Sequence, residues 1–235
     1  MFNSNFNFIK IFKKLFFPFY KNRDLKFVFK KLEENQSKET KVAMFVGGCV
    51  RKYLSDEEID DIDIATSLTT EQIKDKFKNK KFKIIDSGIN HGTVTLISNR
   101  LKIELTTLRK DIKTDGRHAE VEYTDDWQKD SERRDFTINA IYLDINGKIF
   151  DPQLGTVDLK NRCIKFIGDP QKRIGEDYLR IIRFIRFSLE YKSIIEQITI
   201  KAIKLNLDGI KKISKERILT ELFKILRTKN FVKLN

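Results

Sequence analysis

The first third of the chain alternates between helical and strand-like hydrophobic patterns. Apolar side chains recur at a helical period through residues 22–34, and an unbroken apolar run then leads into a pair of glycines. Threonine oxygens can cap a helix, because they accept from the amides of its first turn. The predicted elements are, in order, a helix at 22–34, a strand at 42–46, a short helix around 50–54, a strand at 59–65 and a helix from Thr69 or Thr70 to about Phe77.

The middle of the chain predicts further strands, since β-branched and polar residues alternate there. The predicted elements are strands at 82–86, 93–98 and 101–108, a tight turn at Asn99-Arg100 and a hairpin over 141–150 that turns at Asn146-Gly147. Residues 110–130 are polar and lack a clear period, so we expect a long loop there, of the mobile or functional kind.

The last part of the chain has only helical patterns. We expect helices at 176–189, 194–205 and 214–226, after a soft boundary near residues 168–170. The sequence therefore predicts an α+β protein with three parts: an N-terminal helical segment at 1–40, a head with a mixed sheet at 41–168 and an all-helical neck at 169–235. Residues 6–20 mix Phe and Ile with lysines, which interrupt the segment too often for a signal peptide. We expect an amphipathic helix there, and we favour its packing on the domain over its lying on an acidic surface.

The charge balance points to a polyanionic partner. The 235 residues include 47 Lys and Arg against 34 Asp and Glu, a formal net charge of +13, which suits nucleic acid. Cys49 and Cys163 lie far apart and show no metal-type spacing, which favours a reducing compartment. No apolar run approaches the length of a membrane span, so we expect a cytoplasmic protein with no membrane partner.

The stretch from Gly47 to Arg51 is a candidate phosphate site. Two adjacent glycines, Gly47 and Gly48, allow backbone amides to approach an anion closely, and Arg51 adds a fixed positive charge beside them. The alternative is an ordinary turn without a ligand, and for the glycine pair alone the two interpretations have near even weight.

Asp61 and Asp63 are candidate metal ligands. Their i, i+2 spacing puts both carboxylates on one face of a strand, and a hard cation such as Mg²⁺ removes their repulsion. Glu104 is a possible third carboxylate if its strand is a neighbour in the sheet, whereas a cross-strand partner for a lysine is the equally weighted alternative. For an isolated Asp-x-Asp, an exposed acidic strand is the simpler interpretation.

A second informative segment is the arginine-rich stretch that begins at Glu176. On a helix, Glu176, Arg180, Arg183 and Arg186 fall within one arc of about 120°. The chain has 33 Lys but only 14 Arg, so clustered arginines suggest phosphate or base contacts, although a solvated face is the alternative. Asp177 with Arg180 could select adenine and cytosine, because a carboxylate accepts from their exocyclic amine while the arginine donates to the adjacent ring nitrogen.

Together these segments resemble the class II tRNA nucleotidyltransferase (CCA-adding enzyme) and bacterial poly(A) polymerase family. Motif A, the metal and triphosphate site, is matched by Gly47-Gly48-Cys49-Val50-Arg51 with Asp61-Ile62-Asp63. Motif B, whose second arginine binds nucleotide, is similar to Arg133-Arg134-Asp135-Phe136-Thr137-Ile138-Asn139-Ala140. The resemblance covers roughly residues 42–226, and five motifs in the family's order make it more specific than any motif alone.

The remaining motifs follow in order. Motif C, linked to the hinge between head and neck, is matched by Asp151, Gly155 and Asp158-Leu159. Motif D, the amino-acid template for ATP and CTP, is similar to Glu176-Asp177-Tyr178-Leu179-Arg180 with Arg183 and Arg186. The segment that closes the neck resembles Ile213-Ser214-Lys215-Glu216-Arg217-Ile218 with Glu221-Leu222.

The resemblance implies an enzyme with a polymerase-beta-like nucleotidyltransferase head and a helical neck. It would add C and/or A from CTP and ATP to the 3′ end of tRNA, with two Mg²⁺ ions at Asp61 and Asp63. Gly47, Gly48, Arg51 and Arg134 would bind the triphosphate. Asp177 and Arg180 would bind and select the base, and Arg183 and Arg186 would add contacts to the phosphates or the base.

Several alternatives stay open at the level of sequence. The product could be CCA, CC only, A only or poly(A), and a non-catalytic RNA-binding module that keeps the fold is the alternative from another class. Lys52 replaces the family's usual Asp after Val-Arg, and Tyr178 replaces a common proline. The family normally continues into helical body and tail modules that grip tRNA. Here the chain stops soon after the neck, so we expect weaker tRNA affinity than that of a full-length relative.

Overall fold

A computed structural model describes residues 18–37, 40–78, 81–88, 92–98, 101–115, 118–228 and 231. The chain forms two compact units. The first contains Met1–Arg109, Tyr123–Trp127 and Ile141–Asp151, and the second contains Lys110–Glu122, Gln128–Ala140 and Pro152–Asn235. These units group residues by contact and divide the chain differently from the predicted parts, so the boundaries at 40 and 168 stay predictions.

The first unit contains helices that follow the predicted periods. They are α1 (Arg23–Glu33), α2 (Gly48–Leu54) and α3 (Thr70–Phe77), preceded by a 3₁₀ turn at Phe19–Lys21. The apolar face of α1 is buried, as its pattern predicted: Leu25, Val28, Phe29 and Leu32. Thr69 caps α3, because its hydroxyl oxygen accepts from the Gln72 amide at 3.3 Å while the Gln72 side chain accepts from the Thr69 amide at 2.9 Å.

Seven of the described strands form one mixed sheet in the first unit, in the order β3-β4-β5-β2-β1-β8-β9. Their bounds are β1 (Ala43–Val46), β2 (Ile62–Thr66), β3 (Lys83–Gly88), β4 (Thr93–Ile97), β5 (Lys102–Thr107), β8 (Tyr142–Leu143) and β9 (Ile149–Phe150). Strands β2 and β5 are parallel, and the other pairs are antiparallel. The mixed sheet with flanking helices confirms the predicted α+β class.

Strands β1 and β2 occupy the middle of this sheet, where both sides are covered. Met44, Val46 and Ala65 pack in one buried cluster with Leu108 and Tyr142. A central, buried pair of strands is a rigid support, so side chains at its ends are held in fixed positions. The glycine turn follows β1 directly, and Asp63 lies on β2.

The second unit is mainly helical, as expected for the C-terminal part of the chain. Its helices are α5 (Gly155–Lys160), α6 (Pro170–Glu176), α7 (Leu179–Tyr191), α8 (Gln197–Asn206) and α9 (Lys215–Leu226), with 3₁₀ turns at Thr137–Asn139 and Leu207–Lys212. Helix α4 (Trp127–Glu132) continues from the first unit into the second. The largest core cluster of this unit is built around Phe136, Ile181, Phe184 and Phe187. Across the described ranges, no helix is both long and apolar enough to cross a membrane.

The predicted loop at 110–130 is wrong. The structure has two paired strands there, β6 (Arg109–Asp115) and β7 (His118–Tyr123), followed by α4. The Lys110 ammonium lies 3.0 Å from the Glu122 carboxylate, and Ile112 is exposed. In β6, Ile112 is the single apolar residue of the strand, so that strand has no hydrophobic alternation. In β7, Ala119, Val121 and Tyr123 alternate with polar residues, a short strand signal that the sequence analysis missed.

The predicted start of the arginine helix at Glu176 is also wrong. Glu176 ends helix α6, Asp177 is extended, and α7 begins at Leu179. The Asp177 carboxylate accepts from the Leu179 amide at 3.1 Å, which competes with a continuous helix. Helix α6 begins at the predicted soft boundary, because Asp169 accepts from the Lys172 amide at 2.8 Å and Pro170 fits the first turn. The boundary itself stays a prediction.

Other predictions have mixed outcomes. The hairpin of β8 and β9 is confirmed, and α5 was not predicted. The turn at Asn99-Arg100 and most of the amphipathic helix at 6–20 lie outside the described residues.

Candidate functional site

The turn between β1 and α2 requires glycine at position 47. Gly47 has φ 71° and ψ −128°, a conformation that is strained for any residue with a Cβ. The Asp63 carboxylate faces this turn: a Cβ at Gly47 would lie 3.6 Å from Asp63 Oδ2, and a Cβ at Gly48 would lie 3.8 Å from it. The backbone conformation, rather than lack of space, therefore demands the first glycine. The structure brings the predicted glycine pair and Asp63 together.

Arg51 and Cys49 lie on helix α2 just after the turn, and both are buried. The Cys49 thiol donates to the carbonyls of Val46 at 3.3 Å and Asp63 at 3.5 Å, so it ties the turn to β2. Burial and the nearby Asp63 charge raise the pKa of Cys49 to about 12, which keeps it a protonated thiol. Arg51 is 5% exposed, so any contact with a phosphate is restricted to the small accessible part of its side chain.

The candidate carboxylates lie on two neighbouring strands. Asp63 on β2 is in direct register with Glu104 on the parallel strand β5, which meets the condition set for a third carboxylate. Asp61 precedes β2 by one residue, so the prediction that both aspartates belong to the strand holds only for Asp63. The Asp61 amide donates to Asp60 Oδ1 at 3.0 Å, and Lys52 Nζ lies 2.5 Å from the same oxygen. Lys52, which stands where the family usually has Asp, thus binds the Asp60 side chain next to Asp61.

Lys102 also belongs to this acidic region. Its ammonium donates to Glu104 Oε1 at 2.6 Å, so Glu104 does pair with a lysine, but with one on its own strand rather than the cross-strand partner of the alternative. This hydrogen bond and the charges of Glu104, Asp61 and Asp63 raise the pKa of Lys102. The carboxylates therefore create a negative potential that attracts a cation.

The carboxylates fit a magnesium ion by donor type. Among the described residues, no group of three or more His, Cys, Asp or Glu side chains could hold a metal. Mg²⁺ usually binds through one or two carboxylates, waters and the phosphates of a substrate, so a complete protein cage is not required. Asp61 and Asp63 stay the predicted ligands, and Glu104 stays a possible third.

In the second unit, a buried aspartate holds both arginines of the Arg133-Arg134 pair. Asp130 on α4 is fully buried, and its Oδ1 accepts from Arg133 Nε at 2.8 Å. Its Oδ2 accepts from Arg134 Nη2 at 2.9 Å and Nε at 3.2 Å. Arg134, the predicted triphosphate ligand, is therefore oriented by a carboxylate that the sequence reasoning did not identify. The i, i+3 and i, i+4 spacing was a visible signal for it.

Arg173 and Glu176 on α6 connect this pair to Arg180. Arg173 Nη2 donates to the carbonyls of Arg133 at 2.6 Å and Arg134 at 2.7 Å, and Nη1 donates to Glu176 at 2.6 Å. Arg180 Nη1 donates to the same Glu176 oxygen at 2.5 Å and to the Arg173 carbonyl at 2.6 Å. Glu176 and Arg180 are thus in contact, although the two residues lie on different helices.

Asp177 lies in the break between α6 and α7. Its Oδ1 accepts from the Leu179 amide, and its Oδ2 accepts from Arg217 Nη2 at 2.7 Å. Arg217 on α9 thus orients the predicted base-reading carboxylate from outside its own helix. Only the tertiary structure shows this partner.

The other two arginines of α7 are engaged by carboxylates. Arg183 donates to Asp135 Oδ2 from Nε at 2.8 Å, and Arg186 donates to Glu221 Oε2 from Nε at 2.7 Å. Burial raises the pKa of Asp135, but Arg183, Asn139 and the Phe136 amide outweigh it and lower the pKa to about 2. The Arg186 guanidinium also stacks over the Phe187 ring at 4.0 Å. Arg183 and Arg186 therefore contribute to packing within the second unit.

Comparison with known proteins identifies matching families in both parts of the chain. The model of the poly A polymerase head domain matches residues 43–165, and that of the probable RNA and SrmB-binding site of polymerase A matches residues 194–234. The mitochondrial CCA tRNA nucleotidyltransferase 1 of Mus musculus is 45% identical over 204 residues, which is 84% of this chain and 46% of the relative. A CCA-adding enzyme of Lactobacillus helveticus is 43% identical over 185 residues, covering 78% of this chain and 45% of the relative.

Solved structures show the same likeness. The Bacillus stearothermophilus CCA-adding enzyme in complex with CTP has a TM-score of 0.76 and 34% identity, covering 87% of this chain and 48% of its own. The Thermotoga maritima CCA-adding enzyme complexed with tRNA has a TM-score of 0.69 and 26% identity, covering 89% and 48%. This chain spans about half the length of these relatives. From the match over more than half its length, we conclude that the chain belongs to the poly A polymerase head-domain family, with CCA tRNA nucleotidyltransferases among its relatives.

Proposed function

We propose that the chain is a template-independent nucleotidyltransferase that adds C and/or A from CTP and ATP to the 3′ end of tRNA. The observation that carries this is the Gly47-Gly48 turn facing the Asp63 carboxylate, with Glu104 in register beside it. The relatives are named CCA-adding enzymes, one in complex with CTP and another with tRNA. Because the chain covers only about half the length of these relatives, we propose their activity and partners for this chain rather than state them as shown.

In the proposed reaction, the 3′-hydroxyl oxygen of the RNA forms a bond to the α-phosphorus of the incoming nucleotide. The bond from that phosphorus to the bridging oxygen breaks, and pyrophosphate leaves. Asp61 and Asp63 would hold Mg²⁺, which when bound lowers the pKa of a hydroxyl and offsets phosphate charge. The rigid turn at Gly47-Gly48 would present backbone amides to the triphosphate, and Arg51 and Arg134 would add positive charge.

Base selection is assigned to the break between α6 and α7. We propose that Asp177 and Arg180 read the amine and the ring nitrogen of adenine or cytosine. Both are held from outside, Asp177 by Arg217 and Arg180 by Glu176, which supports a pre-set geometry. For Arg183 and Arg186, the carboxylates of Asp135 and Glu221 favour a role in positioning helix α7 over the predicted nucleotide contacts.

The proposal is tested by removing the candidate metal ligands. Asp61→Ala and Asp63→Ala should each lower incorporation of labelled CTP or ATP into tRNA lacking its 3′ triplet by about a thousandfold or more. Asp56→Asn is the matched control, because Asp56 lies in the same loop at φ 57°, a conformation that asparagine tolerates. Incorporation near the wild-type level in either alanine variant would contradict the assignment.

The product separates the remaining candidates. Sequencing the extended 3′ ends distinguishes CCA, CC, A and poly(A) addition. A wild-type protein that binds tRNA but incorporates no nucleotide from any triphosphate with Mg²⁺ would instead be an RNA-binding module that keeps the fold.

We also propose a reducing compartment, with the cytoplasm as the expected location. Both cysteines are free thiols in the structure, Cys49 buried and Cys163 partly buried. The relative from Mus musculus is mitochondrial by name. Localisation of a tagged protein in its own cells distinguishes the two.

A further inference from the structure

Arg173 makes an unusual set of contacts for a residue on a short helix. One guanidinium nitrogen donates to two successive carbonyls, those of Arg133 and Arg134, and another donates to the Glu176 carboxylate. The side chain is only 12% exposed. The planar fork of arginine can donate in fixed directions from separate nitrogens, which the single ammonium of a lysine cannot do. In a chain with 33 Lys and 14 Arg, an arginine here indicates that the fork is needed.

The two carbonyls that Arg173 binds belong to the residues whose side chains Asp130 holds. Asp130 fixes the guanidinium groups of Arg133 and Arg134 from one side, and Arg173 fixes their backbone from the other. The carbonyls follow the end of helix α4, where backbone acceptors have no partner within the helix. Arg173 therefore sets the position of the Arg134 main chain, while Asp130 sets the direction of its side chain.

The same residue also fixes Arg180. Arg180 Nη1 donates to the main-chain carbonyl of Arg173 and to the Glu176 oxygen that Arg173 itself contacts. Burial and repulsion from the Arg180 guanidinium lower the pKa of Arg173. The Glu176 carboxylate, which bonds both guanidinium groups, offsets this repulsion. The Arg134 main chain and the Arg180 side chain are thus joined through Arg173 and Glu176 by hydrogen bonds of 2.5–2.7 Å.

We propose that Arg173 is a positioning residue that sets the geometry of Arg134, the proposed triphosphate ligand, relative to Arg180, the proposed base reader. This inference rests on the proposed function. A nucleotide that binds both arginines places its base and its phosphates a fixed distance apart. The protein groups that contact them must match that distance, and a displacement of about 1 Å can cost up to a hundredfold in rate. The Arg173 side chain contacts the Arg134 carbonyl, and it reaches Arg180 through the Glu176 carboxylate.

The test compares Arg173→Lys and Arg173→Met with Lys172→Met, an exposed position on the same helix. Binding of CTP and of UTP is measured by calorimetry with Ca²⁺, and incorporation of each into tRNA is measured with Mg²⁺. We expect the preference for CTP over UTP to fall by at least about tenfold in both Arg173 variants, with a raised KM for CTP. Lys172→Met should keep the wild-type preference. A purely structural role would lower the melting temperature and leave the CTP-to-UTP ratio unchanged.

The outcomes separate the two proposals. If the wild-type protein discriminates neither CTP from UTP nor ATP from GTP, the proposed function fails and this inference fails with it. For a protein that uses only ATP, the ATP-to-GTP ratio replaces the CTP-to-UTP ratio in every comparison. If the wild-type protein prefers CTP and folded Arg173→Lys does so equally, the inference alone is overturned.

A second measurement applies where both Arg173 variants fail to fold. A double-mutant cycle of Arg134→Lys and Arg180→Lys, read out as the CTP-to-UTP ratio, should give effects that are not additive, because Arg173 and Glu176 link the two residues. Additive effects would overturn the inference.

Discussion

At the scale of single residues, Asp135 shows how the second unit uses buried charge. Its side chain is 12% exposed and accepts from Arg183, Asn139 and the Phe136 amide. These donors lower its pKa to about 2 against the tendency of burial to raise it. A carboxylate whose pKa is lower in the folded state than in the unfolded state stabilises the fold at neutral pH.

Asp135→Asn should destabilise the protein by about 3 kcal/mol at pH 7, because Arg183 loses its buried ionic partner. In the wild-type protein, the unfolded state binds more protons than the folded state as the pH falls from the ordinary value of 3.8 to about 2. The contribution of Asp135 to the free energy of unfolding should therefore fall by about 2 kcal/mol between these pH values, and the Asn variant should not show this fall. Urea unfolding as a function of pH measures both effects.

Asp208→Asn is the matched control for the Asp135 variant. The Asp208 side chain is 94% exposed in its pair with Lys211, so its loss should cost less than about 0.5 kcal/mol. Equal acid sensitivity of the wild-type and Asp135→Asn proteins would contradict the assignment.

At the scale of elements, helices α7 and α9 are joined by charge as well as by apolar packing. Leu179 and Ile182 pack against Ile225 in one buried cluster. Glu221 on α9, with a side chain 4% exposed, accepts from Arg186 at 2.7 Å and lies 3.5 Å from Arg183. Burial raises its pKa, but Arg186, Lys224 and Arg183 lower it by more. The predicted stripe of three arginines is therefore in large part an interface between helices.

Glu221→Gln should lower the free energy of unfolding by about 3 kcal/mol, since Arg186 loses its most buried carboxylate partner, while Arg183 keeps its pair with Asp135. The contrast is Glu216→Gln, an exposed position in the first turn of the same helix, where the loss of charge should cost about 0.5 kcal/mol. Chemical denaturation at pH 7 measures the difference. Equal destabilisation by the two variants would show that the Arg186–Glu221 pair does not stabilise the contact of α7 with α9.

At the scale of the whole molecule, the net charge of +13 should make tRNA binding depend on salt. Each phosphate neutralised on a single strand contributes about −0.7 to the slope of log affinity against log salt, and on a duplex about −0.9. The region that matches the probable RNA-binding model includes exposed lysines at 201, 204 and 211. These are the positions to test.

Replacing Lys201, Lys204 and Lys211 together with Gln should weaken tRNA binding and reduce the salt slope by about 2. The comparison is a triple variant of exposed lysines in the first unit, Lys26, Lys30 and Lys83, with the same change in net charge. Fluorescence anisotropy over a range of salt concentrations gives both slopes. Equal losses of tRNA affinity in the two variants would show that net charge, rather than the position of these lysines, governs binding.

The sequence by itself determined the features that depend on neighbours along the chain. The buried face of α1, the Thr69 cap of α3, the glycine turn and the hairpin at Asn146-Gly147 all follow from local period, capping and turn chemistry. The order of the five motifs along the chain was also the basis of the resemblance to the family. The ribbon of β6 and β7 was missed because β6 carries one apolar residue, Ile112, and the alternation in β7 is only six residues long.

The tertiary structure alone decided which charges meet. The register of Asp63 with Glu104 depends on a parallel pairing between strands far apart in sequence. The contacts of Arg173 with Arg134, of Asp177 with Arg217 and of Arg186 with Glu221 join residues about forty positions apart. The strength of these ion pairs is set by burial and by the direction of each side chain. Neither quantity is encoded in a local pattern, so they arise only when the chain is packed.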